Sequence, residues 1–124
     1  MYELIIKSGF SGAHYLRGYR GKCEKLHGHN WKVEVKFEKS SLNNIGIASD
    51  FKILKSKLNK VLIELDHSLL NSLTPFKKIN PSAENIARYI FNKLKSSIKQ
   101  KSLILTSVSV WESENSCAIY YDSI

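Results

Sequence analysis

Apolar and charged residues alternate strictly from position 31 to position 38, in the order Trp-Lys-Val-Glu-Val-Lys-Phe-Glu. A period of two is typical of a β-strand with one buried face, and such half-buried strands are typical of antiparallel sheets. Weaker patterns of the same kind predict three further strands, at residues 2–7, 103–112 and 117–121. The last two are separated by the polar segment Ser-Glu-Asn-Ser, which predicts a tight turn.

Two segments between the second and third predicted strands repeat their apolar residues at helical spacing instead. The first follows Asp50, whose short carboxylate suits an N-cap, and runs to about Leu65. The second opens at Pro81 and Ser82. The apolar positions are Phe51, Leu54, Leu58, Val61 and Leu62 in the first helix, and Ile86, Ala87, Ile90, Phe91, Leu94 and Ile98 in the second.

The predicted order is strand, strand, helix, helix, strand, strand. Strands segregated from helices in this way favour the α+β class, with one domain over residues 1–124. We expect a four-stranded antiparallel sheet with both helices on one face. An open sheet of four strands leaves two edges unpaired, and pairing those edges between subunits would bury them. The pattern therefore predicts a homo-oligomer.

The chain is basic, with a formal net charge of +8 over 124 residues. Many of the lysines, among them Lys52, Lys55 and Lys60, fall on the polar sides of the two predicted helices. That placement indicates solvated helix faces, and we expect no nucleic-acid partner. A basic protein still attracts small polyanions, so a phosphorylated substrate fits the charge.

No run of apolar residues approaches the roughly 18 that a membrane span needs, and the first residues lack the pattern of a signal peptide. We therefore expect a cytoplasmic protein with no membrane partner. The chain has two cysteines, which could form one disulfide at most, and the reducing cytosol disfavours even that bond. Cys23 is better treated as a free thiol or a metal ligand.

Residues 23–29, Cys-Glu-Lys-Leu-His-Gly-His, hold one of the two cysteines and two of the four histidines. If the extended conformation begins by His27, the rings of His27 and His29 project from the same face of the strand. Two imidazoles on one face suit a tetrahedral ion such as Zn²⁺. A His-x-His pair alone is weak support, because core and surface histidines account for most such pairs.

A third ligand would strengthen the prediction, and two histidines are candidates. His14 follows the first strand, whereas His67 directly follows Asp66, a pairing that commonly sets the tautomer and basicity of an imidazole. Three protein ligands would leave zinc a free position, as in catalytic sites. Cys23 would close that site as a fourth ligand, or, held off the metal, would act as a base. Spacing alone leaves both alternatives open.

A carboxylate also stands out in the predicted strand over residues 103–112. Glu112 shares a strand face with Val108 and Val110 and so continues an apolar row with a charge. A buried carboxylate needs partners, whereas a solvated strand end needs none. Either arrangement is compatible with the sequence.

Five motifs together resemble the 6-pyruvoyltetrahydropterin synthase family, and within it the bacterial 6-carboxy-5,6,7,8-tetrahydropterin synthases of queuosine biosynthesis. They occur in the family's order and cover most of the chain. The combination of Cys-x-x-x-His-Gly-His with Leu-Asp-His is the most specific. The motifs are Phe-Ser-Gly-Ala-His at 10–14, Cys-x-x-x-His-Gly-His at 23–29, Leu-Asp-His at 65–67, Pro-Ser-Ala-Glu-Asn at 81–85 and Trp-Glu-Ser at 111–113.

The resemblance implies a zinc centre with a catalytic thiol beside it. His14, His27 and His29 match the family's ligands, which hold Zn²⁺ against the side-chain hydroxyls of the substrate. Cys23 matches the base that abstracts a proton. The segment that contains Cys23, His27 and His29 would then supply two ligands and the base together.

The resemblance also implies roles for four further residues. Asp66 and His67 match catalytic relay partners, with Asp66 orienting His67 for proton transfer. Glu112 matches the active-site carboxylate that anchors the pterin by accepting hydrogen bonds from its 2-amino and ring N–H groups. Glu84 lies in a motif near the pterin pocket, although an acidic residue early in a helix also favours the helix dipole.

The family has the tunnelling fold, in which subunits join their sheets into a barrel and two barrels stack as a hexamer, a dimer of trimers. The active sites lie between subunits. The implied reaction converts 7,8-dihydroneopterin triphosphate to 6-carboxytetrahydropterin, acetaldehyde and triphosphate. Basic residues that could receive the triphosphate are Arg17, Arg20, Lys22 and Lys25, but no spacing singles them out.

Two alternatives stay open. Glu24 with His27 and His29 also fits the Glu-x-x-His-Gly-His pattern of a branch that makes 6-hydroxymethyldihydropterin for folate synthesis. Both candidate bases, Cys23 and Glu24, are thus present. A non-catalytic zinc-binding assembly module would use Cys23 to close the site, but it leaves the Asp-His pair and Glu112 unexplained.

Overall fold

The computed structural model describes residues 1–21 and 24–123. It contains five strands, two α-helices and two short 3-10 helices. The strands are β1 (Tyr2–His14), β2 (His27–Lys39), β3 (Ser68–Leu69), β4 (Ile104–Ser113) and β5 (Ser116–Tyr120). The α-helices are α1 (Phe51–Leu62) and α2 (Ala83–Ser97), and the 3-10 helices are Leu70–Ser72 and Thr74–Phe76.

The strands form one sheet in the order β3-β1-β2-β4-β5. The long strands pair antiparallel, and β1 and β2 stay in register from Tyr2 opposite Lys39 to His14 opposite His27. The predicted α+β class is confirmed. The sheet has one more strand than the four predicted, because β3 pairs parallel with β1 at its edge. A strand of two residues is too short to show a period in the sequence.

One face of the sheet is buried by both helices, as predicted. Alternate residues of β2 from Trp31 to Phe37 are at most 1% exposed, and they form one apolar cluster with the buried faces of α1 and α2. Trp31 stacks on Phe10 of β1 with ring centroids 5.8 Å apart. These side chains are the apolar layer that lies directly beneath the metal-binding candidates at the end of the sheet.

Both helices begin where the sequence indicates. Asp50 accepts a hydrogen bond from the Lys52 backbone N–H at 2.8 Å, and Ser82 accepts one from the Asn85 N–H at 3.2 Å. Helix α1 ends at Leu62, earlier than predicted, and the following turns carry the chain back to the edge of β1. The earlier end matters because it delivers the Asp-His pair to that edge.

Strand β1 is seven residues longer than predicted. Its second half was missed because it contains serine, glycine and alanine, which show little periodic hydrophobicity. Gly9 is required there: a Cβ at this position would lie 2.6 Å from the Trp31 carbonyl oxygen. The extension places His14 at the end of β1. No helix in the described part of the chain is long and apolar enough to cross a membrane.

Candidate metal centre

Three histidines meet at the end of the sheet where β1 stops and β2 starts. His14 pairs with His27 across the two strands, and His29 lies two residues further along β2 on the same face. The ring centroids are 4.6 Å apart for His14 and His27, 5.4 Å for His14 and His29, and 4.8 Å for His27 and His29. The predicted same-face arrangement of His27 and His29 is confirmed. Of the two candidates for a third member of the cluster, the structure supplies His14.

Backbone carbonyls fix the orientation of two of these rings. His14 Nδ1 lies 2.7 Å from the Pro81 carbonyl oxygen, and His27 Nδ1 lies 2.8 Å from the Lys25 carbonyl oxygen. In the neutral ring each Nδ1–H then donates to a carbonyl, which leaves Nε2 with its lone pair free. Burial lowers the pKa of His14, so its neutral, metal-binding form is favoured near neutral pH.

Two of the cluster's ring nitrogens are buried without a hydrogen bond of good geometry. Within residues 1–21 and 24–123 these are Nε2 of His14 and Nε2 of His29, although the Glu112 carboxylate lies 2.9 Å from the latter. A buried nitrogen without a hydrogen bond is costly, and a bound cation would satisfy both nitrogens at once. This donor set fits a zinc ion, for which neutral imidazole nitrogens are common ligands.

Glu112 brings a carboxylate to the same cluster from β4. Its Oε1 lies 2.9 Å from His29 Nε2, 3.8 Å from His14 Nε2 and 4.0 Å from His27 Nε2. One ligand atom from each of the four residues lies within 4.8 Å of the others. Tetrahedral zinc ligands lie about 3.4 Å apart when the bonds are ~2.0–2.1 Å long. The four side chains could therefore hold one metal ion.

The location of Glu112 settles one of the two sequence-based alternatives. It continues the inner-face row of Val108 and Val110 on β4, and its side chain is 39% exposed. A fully solvated strand end is thus wrong, because the carboxylate contacts imidazoles. Its assignment as the pterin anchor stays a prediction.

The Asp-His pair forms the predicted contact. Asp66 Oδ2 lies 2.9 Å from His67 Nδ1, while Asp66 Oδ1 accepts a hydrogen bond from the Ser11 backbone N–H at 2.8 Å. The Ser11 N–H and the His67 ring together lower the pKa of Asp66. His67 has a backbone φ of 53°, a left-handed conformation that is uncommon for a residue with a side chain, and its ring is 83% exposed. Asp66 is therefore anchored to the backbone of β1, and the His67 ring that it contacts is exposed.

The pair does not join the metal cluster of its own chain. Asp66 and His67 line shallow hollows together with Ser11 and Asn30, which alternate along their strands with the buried residues of the helix-covered face. The hollow that His67 lines also includes His29, but neither Asp66 nor His67 joins the group of four side chains that could hold a metal ion.

Other predicted site residues occupy different environments. Cys23 and Lys22 lie outside the described residues. Glu24 is engaged with the backbone of Leu16: its Oε1 accepts from the Leu16 N–H at 3.2 Å, and its own N–H donates to the Leu16 carbonyl at 2.9 Å. Glu24 Oε1 also lies 4.0 Å from His27 Nδ1. Glu84 is exposed in the first turn of α2, where its charge favours the helix dipole.

The basic residues proposed for the triphosphate differ in availability. Arg17 donates hydrogen bonds to the carbonyl oxygens of Ile79 and Asn71, at 3.3 and 3.2 Å, so its guanidinium already has partners within the fold. Arg20 and Lys25 are exposed.

Sequence reasoning missed two contributors to the cluster. The sequence predicts Pro81 at a helix start and in one of the five motifs, and neither indicates that its carbonyl orients His14. The alternation of β2 predicts Trp31 in the core, but it does not indicate that the Trp31 ring centroid lies 4.8 Å from that of His14 and 5.1 Å from that of His29. The position of Trp31 two residues after His29 on the same face was the available signal.

Comparison with known proteins agrees with this geometry. Residues 3–123 match the family described as 6-pyruvoyl tetrahydropterin synthase. The 6-carboxy-5,6,7,8-tetrahydropterin synthase of Haemophilus influenzae is 32% identical over 145 residues, covering 98% of this chain and 100% of that one. The dihydroneopterin monophosphate aldolase of Pyrococcus furiosus is 32% identical over 110 residues, 89% of each chain.

The fold has a solved counterpart as well. The 6-pyruvoyl tetrahydropterin synthase of Caenorhabditis elegans superimposes with a TM-score of 0.85 at 27% identity, over 98% of this chain and 96% of that one. The match spans both strands that carry the histidines and the strand that carries Glu112. Sequence, fold and site therefore agree, and the chain belongs to the 6-pyruvoyl tetrahydropterin synthase family.

Proposed function

We propose that the protein is a zinc-dependent 6-carboxy-5,6,7,8-tetrahydropterin synthase of queuosine biosynthesis. The reaction would convert 7,8-dihydroneopterin triphosphate to 6-carboxytetrahydropterin, acetaldehyde and triphosphate, and its atoms balance with one water consumed. The observation that carries the proposal is the convergence of three imidazole nitrogens and one carboxylate within 4.8 Å. The Haemophilus influenzae relative supports this choice of product.

His14, His27 and His29 would hold the zinc ion through Nε2. The bound ion would supply Lewis-acid polarisation of substrate oxygens. Carbonyls fix the Nδ1 atoms of His14 and His27, so these rings need little rearrangement to bind.

Cys23 is the proposed base, because a thiol held near a cation ionises more readily than a free one. His67 is the proposed partner for the returning proton. Asp66 binds its Nδ1, so Nε2 is the ring atom that can exchange a proton with substrate.

We further propose that each site is completed between two subunits of a hexamer, a dimer of trimers. The Asp-His pair of one chain would serve the histidine cluster of its neighbour, since the His67 ring is 83% exposed and the pair does not join the cluster of its own chain. The two-residue strand β3 at one edge and the five-residue strand β5 at the other leave pairing capacity for that assembly.

Glu112 and Glu84 are the proposed pterin carboxylates. A carboxylate can accept two hydrogen bonds from the 2-amino and ring N–H edge of the pterin. The side chain of Glu112 remains 39% exposed beside the histidines, so a substrate bound at the metal would lie next to it.

A second candidate function is cleavage to 6-hydroxymethyldihydropterin with Glu24 as the base. Its support is the 4.0 Å separation between Glu24 Oε1 and His27 Nδ1, together with the aldolase relative from Pyrococcus furiosus. The hydrogen bond that Glu24 Oε1 accepts from the Leu16 N–H argues against a free base at this position. We therefore favour Cys23.

Mass spectrometry of the pterin products tests the choice. Zinc-loaded protein given 7,8-dihydroneopterin triphosphate should yield mainly 6-carboxytetrahydropterin, and Glu24→Ala should leave the product unchanged. Cys23→Ala serves as the matched variant and should abolish the product. A dominant 6-hydroxymethyl product that disappears in Glu24→Ala would overturn the assignment. Zinc binding without turnover would favour the non-catalytic assembly module.

A further inference from the structure

In the chain that follows His14, the backbone groups of Tyr15 and Arg17 form their hydrogen bonds with side chains. Asn71 donates from Nδ2 to the Tyr15 carbonyl at 2.9 Å and accepts at Oδ1 from the Tyr15 N–H at 3.0 Å. Asn80 forms the same pair of hydrogen bonds with Arg17: it accepts from the Arg17 N–H at 2.8 Å and donates to the Arg17 carbonyl at 3.0 Å. Two primary amides thus engage the backbone of alternate residues.

This pattern imitates a strand pair. In an antiparallel ladder, every second residue exchanges both of its backbone hydrogen bonds with one residue opposite. Asn71 and Asn80 supply the same donor and acceptor from a side chain to Tyr15 and Arg17. The backbone of Tyr15 and Arg17, just past the end of β1, is therefore paired although neither residue belongs to a strand.

Asn80 also belongs to the segment that orients the His14 ring. Asn80 directly precedes Pro81, whose carbonyl oxygen lies 2.7 Å from His14 Nδ1. Asn85 holds the Asn80 carbonyl through its Nδ2 at 2.9 Å, so the position of Asn80 is fixed from both sides. A closed ring of contacts results: His14 is tied to Pro81 through its imidazole and, through the following backbone, to Asn80.

Burial shows that this is not an incidental surface contact. Asn71 is 4% exposed, and a buried amide is tolerated only when its polar atoms are paired. Arg17 reinforces the arrangement by donating to the carbonyls of Asn71 and of Ile79, the residue before Asn80. Both asparagines are thus locked onto the chain leaving β1.

We propose that Asn71 and Asn80 are positioning residues of the metal centre, which hold His14 so that its Nε2 faces His27 and His29. The inference rests on the proposed metal binding by these histidines. Neither asparagine touches the cluster itself. Each acts through the backbone next to His14 or through the Pro81 carbonyl.

The test compares Asn71→Ala and Asn80→Ala with a matched control, Asn43→Ala. Asn43 also makes two bonds to backbone N–H groups, of Ile45 and Ile47 at 3.0 and 3.2 Å, but it lies beyond the opposite end of β2 from His27. Zinc affinity is measured by competition with a chelating dye, at a temperature where circular dichroism shows each variant folded. Loss of a direct outer partner of a metal ligand weakens metal binding about 10- to 100-fold. Because Asn71 and Asn80 act one step further from the ligand, we expect a loss at the lower end of that range, about 10-fold, for Asn80→Ala and Asn71→Ala, and less than about twofold for the control.

A second readout separates positioning from general stability. In the metal-free protein, nitrogen-15 NMR of the imidazoles should show His14 as the Nδ1–H tautomer in wild type and in Asn43→Ala, and as a mixture in Asn80→Ala. If Asn71→Ala does not fold, the test is made on Asn80, which is less buried. If Asn80→Ala does not fold either, Asn80→Ser replaces it. Equal zinc affinities and an unchanged His14 tautomer in the Asn80 variant would overturn the inference. If the wild-type protein binds no zinc, the proposed function fails. The tautomer measurement would still test whether the asparagines orient the His14 ring.

Discussion

Glu112→Gln removes a charge from the acidic side chain that lies within 4.0 Å of all three clustered histidines. The substitution keeps the size and shape of the side chain but replaces the carboxylate with a neutral amide. The carboxylate oxygen nearest to the cluster, Oε1, lies 2.9 Å from His29 Nε2. We expect the variant to retain stoichiometric zinc, because three imidazoles remain, and to lose affinity for pterins.

The magnitude follows from the bonds that a carboxylate would make to the pterin edge. Hydrogen bonds to a charged group contribute about 1.5–3 kcal/mol, which corresponds to a loss of roughly 10- to 150-fold in affinity. A glutamine can still accept at one oxygen, so the lower half of that range is the better expectation. Because the Glu112 side chain is 39% exposed, we expect the substitution to change the free energy of unfolding only slightly.

The assay is titration of the zinc-loaded protein with a stable pterin analogue, alongside a zinc competition assay on the same sample. Glu114→Gln is the matched control, since Glu114 lies exposed in the β4–β5 turn two residues away. Unchanged pterin affinity in Glu112→Gln would refute the anchoring role. A large fall in zinc affinity with unchanged pterin binding would instead make Glu112 a metal ligand.

Three further predictions concern the thiol, the acid–base pair and the apolar floor of the site. Cys23→Ala should retain zinc, measured by atomic absorption, and lose turnover, whereas His29→Ala should lose zinc; equal zinc loss in both would make Cys23 a ligand. The pKa of Asp66 is lowered in the fold from 3.8, so its ionised form contributes stability that is present above pH 3.8 and is lost as the pH falls through the lowered pKa. Asp66→Asn should therefore weaken the fall in stability below that pH in urea titrations, and an unchanged pH profile would contradict the Ser11 and His67 contacts. Trp31→Ala, at a site 1% exposed, should cost about 3–5 kcal/mol of unfolding free energy, and Trp111→Ala on the outer face should cost less; equal losses would argue against Trp31 as the floor of the site.

The long elements of the fold were predictable because their periodicity is strong. The alternation around Trp31 and the helical spacing of α2 each correspond to a buried face in the structure. The second half of β1 was not predictable, since Gly9, Ser11 and Ala13 carry no alternating hydrophobicity and depend on pairing with β2. Strand β3 forms only because the turns after α1 bring it to the edge of β1.

The three histidines of the candidate metal centre were predictable, whereas the residues that orient them were not. The spacing of His27 and His29 determines their common face, and the resemblance added His14. The Pro81 carbonyl and the amides of Asn71 and Asn80 could not be found from spacing, because they act on residues more than fifty positions away in the chain. Contacts of that kind depend on the tertiary fold.

X-ray absorption spectroscopy of the zinc-loaded protein reports directly which atoms surround the metal. We expect three imidazole nitrogens at about 2.0–2.1 Å and a further oxygen from water, substrate or Glu112, with no sulfur. His14→Ala should remove one nitrogen from that shell, and Cys23→Ala should leave the shell unchanged. A sulfur ligand at about 2.3 Å that disappears in Cys23→Ala would contradict the account, since it would make the centre a closed structural site without a free thiol for catalysis.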